Sequence, residues 1–107
     1  MNNTAASMGP EAWVLQQCDR DTLRDIAEHG CASCAPSGLI YYGETCAFYD
    51  EHEHELLDEL EAFVRDCYGR KATVWQVFGN DAGTIEQLKN ALVWAFVELV
   101  AQRAVGA

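Results

Sequence analysis

The chain has 107 residues, half of them apolar, with 17 acids against 7 lysines and arginines and a formal net charge of −10. That apolar share excludes a disordered acidic tail and supports one folded domain with a modest core. The negative balance disfavours direct contact with nucleic acid or anionic lipid and favours basic partners.

Residues 1–8 read as a flexible leader and residues 9–107 as a single helical domain. The start lacks a basic region followed by an apolar run, so no secretory signal is visible. Ala91 to Ala101 is the most apolar stretch; it is about half the ~20 residues that span a bilayer, and Glu98 interrupts it. The expectation is a soluble intracellular protein. Its five cysteines, Cys18, Cys31, Cys34, Cys46 and Cys67, do not make a secreted disulfide scaffold and behave most simply as small apolar residues.

Glu11 to Cys18 is a short helical candidate with Trp13, Val14 and Cys18 at helical spacing. Asp19 or Asp21 can cap the next helix, which runs to about His29 with Leu23, Ile26 and Ala27 inward and Gly30 as its stop. Gly30 to Gly38 is a loop of small residues, and Leu39 to Tyr42 is a short strand or a buried connector.

The acidic segment follows. Glu44 to Asp66 holds nine acids and one base, Arg65, for a local charge of 1 − 9 = −8. Tyr49, Leu56, Leu60, Phe63 and Cys67 fall on one side of a helical wheel, with Leu57 and Val64 flanking, and the acids fall mostly opposite. Gly69 ends this helix. Thr73 to Phe78 is a strand or a short helix. Thr84-Ile-Glu-Gln87 matches a capping box, and a last helix from Thr84 to Ala104 is apolar almost all round. The fold expected is a mainly α, small helical bundle of four to five helices with at most a short β element.

Like charges one turn apart weaken a helix by a few tenths of a kcal/mol per pair, so stability alone would intersperse lysines among these acids. As a straight rod, the segment's 23 residues would span about 34 Å, or roughly one charge per 4 Å; a DNA strand carries about one phosphate per 3.4 Å. Asp50, Glu51, Glu55, Asp58, Glu59, Glu61 and Asp66 are therefore the candidate partner-binding residues. The plainer reading is a solvated face that keeps a small protein soluble.

His29, Cys31 and Cys34 form H-x-C-x-x-C, the one candidate metal clip. A fourth ligand would have to come from His52, His54, Cys46 or Cys67, and a second Cys-x-x-Cys is missing. His52 and His54 are two apart rather than the four of a zinc protease helix; His52 is expected at the core border and His54 in solvent. No catalytic triad, phosphate loop or dinucleotide fingerprint is present, so neither an enzyme nor a cofactor is expected. Tyr41, Tyr42, Phe48, Tyr49, Trp75, Phe78 and Trp94 read as core, since base stacking needs basic companions.

Residues 38–54, GLIYYGETCAFYDEHEH, resemble a signature of small phage and mobile-element proteins: a glycine turn, I-Y-Y, an acid-Thr pair, A-F-Y-D and a nearby histidine. The matching positions are Gly38, Ile40, Tyr41, Tyr42, Glu44, Thr45, Ala47, Phe48, Tyr49, Asp50 and His52. Asp25 to Gly30 and Leu88 to Ala101 also fit, while Cys34 departs from the pattern. By size, acidity and setting the chain is similar to anti-CRISPR proteins, some of which mimic DNA. That likeness implies a cytoplasmic inhibitor in a bacterial host, whose partner is a Cas subunit of a type I Cascade complex. The alternative is a structural or regulatory module that dimerises through its terminal helix, with zinc stabilisation as a third reading.

Overall fold

A computed structural model describes residues 9–30 and 42–106, without the side chains of residues 42 and 43. The leader, Cys31, Cys34 and most of the Leu39–Tyr42 connector lie outside the described residues. All regular structure within them is helical: α1 (Pro10–Gln17), α2 (Arg20–His29), α3 (Tyr42–Tyr68), α4 (Val74–Phe78) and α5 (Ile85–Gly106). The expected mainly α bundle is what forms, with no strand among the described residues.

Helix boundaries follow local chemistry. Pro10 opens α1, where its missing N–H costs nothing. Asp19 caps α2: its Oδ1 accepts the Thr22 backbone N–H at 2.8 Å, and this bond holds the Asp19 carboxyl below its ordinary pKa. Gly69 leaves α3 with φ +95°, a conformation that side-chain-bearing residues rarely adopt. Thr73 to Phe78 resolves as a helix because Thr73 and Gln76 form a complete capping box. The second capping motif, expected at Thr84 and Gln87, closes differently. Thr84 Oγ1 accepts the Gln87 N–H at 3.1 Å, but Gln87 Oε1 accepts from Gly83 at 2.7 Å, one residue earlier than a capping box requires.

The terminal helix is the centre of the bundle. α5 packs against α1, α2, α3 and α4, most extensively against α3 and α2. Leu92, Val93, Phe96, Val97, Leu99, Val100 and Ala101 are all buried, which accounts for its apolar circumference. α1 and α2 add Val14, Cys18, Leu23 and Ile26 to the same core.

α3 departs from a straight rod. His52 has φ −122° and ψ 18°, so two helical segments meet there at a kink. Before it, Thr45, Phe48, Tyr49 and His52 face inward; beyond it, Leu56, Leu60 and Val64 do so at a strict spacing of four. A row of i+4 neighbours winds obliquely across a helix surface. The inward face therefore takes in Val64, expected only to flank it, and leaves Cys67 exposed and Phe63 half-buried. His52 is also deeper than the core border: it is 1% exposed, its ring centroid is 4.9 Å from that of Phe48, and its Nε2 has no hydrogen-bond partner among the described residues.

Thr45, His52 and Asn90 are the buried polar residues among those described. Thr45 Oγ1 donates to Asn90 Oδ1 at 2.7 Å, tying α3 to α5 inside the core. Breaking one side of such a bond costs about 1–3 kcal/mol, more than removing both partners together. Asn90→Leu is accordingly expected to be destabilising. In a chemical-denaturation cycle, adding Thr45→Val should show a favourable coupling above about 0.5 kcal/mol; additive values would mean that the bond contributes nothing. His52→Leu removes a buried nitrogen that has no partner among the described residues, so its melting temperature should equal or exceed wild type, and a clear fall would contradict this account of the site.

Candidate functional site

The outward side of α3 is where the acids collect. Apolar residues at the inward positions turn Glu51, Glu55, Asp58, Glu61 and Asp66 to solvent, and all five are exposed. Arg65, the base within the segment, is exposed on the same helix. Among the described residues, no base lies within ion-pair distance of Glu51, Glu55, Glu61 or Asp66. Asp58 Oδ2 lies 3.4 Å from Nε2 of exposed His54 one turn away, a contact that is ionic only when the imidazole is protonated.

Two of the seven candidate carboxylates are held by the protein's own bases. Lys89 Nζ donates to Asp50 Oδ1 at 2.7 Å, and Arg103 Nη2 meets Glu59 Oε1 at 2.8 Å. The hydrogen bond to Asp50 raises the Lys89 pKa, and the ammonium also sits 5.7 Å from the centre of the Tyr49 ring. Both bases come from α5, so sequence spacing carries no signal of either pair. The carboxylates left open are Glu51, Glu55, Glu61 and Asp66, with Asp58 joined to His54.

Two shallow grooves flank the acid helix. One, of about 330 Å³, is lined by Glu53, His54, Leu57, Asp58 and Glu61. The other, of about 420 Å³, lies between α1 and α3 and is lined by Pro10, Glu11, Leu15, Glu55, Glu59 and Phe96, among others. Neither joins a nucleophile to a general base.

Of the candidate metal clip, only His29 lies among the described residues; it is exposed and 3.7 Å from the Glu28 carboxylate. No group of three or more His, Cys, Asp or Glu residues is placed to hold a metal among the described residues. His52 is buried and His54 exposed, which separates these two candidate fourth ligands, while Cys46 is half-buried with its Sγ 4.0 Å from the Glu86 carbonyl oxygen. Of the aromatic residues read as core, Phe48 and Tyr49 are buried and Phe78 and Trp94 pack half-buried against the core, while Tyr41 and the side chain of Tyr42 lie outside the described residues. Trp75 is 45% exposed, because α4 is one and a half turns long and has one face to bury.

A family model described as a domain of unknown function (DUF7222) matches residues 7–106, and the chain belongs to that family. No curated protein and no solved structure matches it. No helix among the described residues is long and apolar enough to cross a membrane.

Tyr49 carries the clearest electrostatic signature at the site. Its hydroxyl donates to Glu53 Oε2 at 3.2 Å, and burial, reinforced by the Glu53 charge, pushes its pKa to about 12. A phenol whose pKa is raised in the folded state stabilises the fold below the unfolded value of about 10 and loses that contribution as pH climbs to about 12. Thermal melts across that window should therefore fall more steeply for wild type than for Tyr49→Phe. Parallel curves would show that Tyr49 ionises as freely when folded as when unfolded.

Proposed function

We propose that this protein is a non-enzymatic inhibitor whose acidic α3 face docks on a basic, nucleic-acid-binding surface of another protein. The observation that carries this reading is the exposed set Glu51, Glu55, Glu61 and Asp66, which the fold leaves without internal counter-charges among the described residues. A helix crowded with carboxylates repels its own charges, and a ring of partner lysines and arginines would relieve that repulsion. Such a partner normally grips phosphates, and the acid face competes for the same cations as a DNA mimic does. The anti-CRISPR likeness suggests the particular partner: a Cas subunit of a type I Cascade complex that holds target DNA or reads its PAM.

The kink limits the mimicry to part of the helix. From Glu53 to Asp66 the segment covers about 21 Å and carries six acids, of which Glu59 is engaged by Arg103. The second reading, a homodimer through the terminal helix, draws less from the structure. The middle of α5 is covered by the chain's own helices, and its exposed large apolar residues, Ile85 and Val105, stand at its two ends.

The test reverses acids that no lysine or arginine engages among the described residues. Glu55→Lys, Asp58→Lys and Glu61→Lys together avoid the Asp50 and Glu59 pairs, so circular dichroism and melting temperature should stay near wild type. Wild-type protein should block target-DNA binding by a type I Cascade complex. In pull-downs from bacterial lysate it should retain basic nucleic-acid-binding proteins that salt or added DNA releases, and the triple variant should do neither. Equal activity or equal capture by the triple variant would overturn the proposal.

A further inference from the structure

The groove between α1 and α3 combines two features that the outer acid face lacks: an apolar lining and charged walls that face each other. Pro10, Ala12 and Leu15 of α1 and Phe96 of α5 line it. Leu15 is 41% exposed, one of the few large apolar side chains the fold leaves open. Glu11 stands on the α1 side, and Glu55 and Glu59, one helical turn apart, stand on the α3 side.

The walls already hold one guanidinium. Arg103 reaches Glu59 at 2.8 Å and Glu11 at 3.8 Å, so a single arginine spans carboxylates from both sides. Glu55 lines the same groove and has no base within ion-pair distance among the described residues. The groove thus has one carboxylate still to be matched, beside exposed apolar surface.

We propose that this groove binds a cationic, amphipathic segment of the partner polypeptide, in which an arginine or lysine pairs with Glu55 while a neighbouring leucine-sized side chain lies against the exposed Leu15 and Ala12. The inference rests on the reading of α3 as a docking face and names what that face prefers. A purely polyanionic surface ranks basic partners by charge alone, whereas this groove discriminates between basic segments of equal charge by their apolar residues. Neutralisation occurs at the outer acids, and selection occurs in the groove.

Two fluorescent peptides of equal length and charge test this, one alternating arginine with leucine and one alternating arginine with serine. By anisotropy, the arginine–leucine peptide should bind the full-length protein about tenfold more tightly, the preference expected for burying one apolar side chain. Ala12→Glu with Leu15→Glu, which makes the lining polar without touching the outer acids, should abolish that preference while leaving the arginine–serine peptide bound at least as well as before. Glu55→Gln should weaken both peptides. Equal affinity of the two peptides for wild type, or a preference that survives in the α1 double variant, would overturn the groove assignment. If neither peptide binds wild type, or if binding is indifferent to Glu55→Lys, Asp58→Lys and Glu61→Lys, the docking-face reading itself fails. Light scattering that shows a concentration-dependent dimer, lost in the α1 double variant, would assign the groove to a second copy of the chain and also overturn the proposal.

Discussion

A helix that is apolar around most of its circumference cannot rest on the surface of a small protein, and α5 imposes that constraint on everything else in this fold. Its buried residues, from Leu92 to Ala101, take up more than half of the helix circumference, and Trp94 and Ala95 on the remaining side are half-buried. Four shorter or amphipathic helices therefore surround it, each presenting one apolar stripe and keeping its polar side outward. The acid content of α3 is compatible with folding for that reason. The energy that holds α3 in place comes from Phe48, Leu56, Leu60 and Val64 against the core, so its outer face is free to carry residues that do nothing for stability.

The polar contacts between α3 and α5 then set how the two helices register. The Thr45–Asn90 bond lies inside the core, and each group would be left without this partner if the helices slid by a turn. Lys89 lies one residue before Asn90 and meets Asp50, and Arg103 meets Glu59 near the far end of α5. These two ion pairs are partly exposed and worth little as stabilisers, but they decide which carboxylates remain open. The electrostatic face is thus a product of helix pairing: the same nine acids on an isolated helix would present a broader and less selective surface.

The break at His52 belongs to the same arrangement. Ahead of it α3 offers Thr45, Phe48 and Tyr49 to the core; beyond it the inward row advances by fours. Neither proline nor glycine stands there, and the ring contact with Phe48 is the feature that coincides with the kink. It restricts any resemblance to a straight polyanion to the second half of the helix, alongside the groove that α1 forms with Glu55 and Glu59.

Local sequence determined the helical class, a cap at Asp19 or Asp21, the stops at Gly30 and Gly69 and the outward set of acids, because each depends on residues within a turn or two of one another; the structure chose Asp19. The apolar circumference of α5 left two placements open, the middle of the bundle or an interface between copies, and the structure surrounds it with the chain's own helices. Spacing did not reveal the kink at His52, the exchange of Cys67 for Val64 on the inner face, or the capture of Asp50 by Lys89 and of Glu59 by Arg103. Those depend on which part of α5 lies opposite each part of α3, and partners 39 and 44 residues apart meet only once the bundle has closed. The sequence therefore carried the charge and the rod, and the tertiary structure decided which charges stay unmatched, because neutralisation is a matter of distance in space.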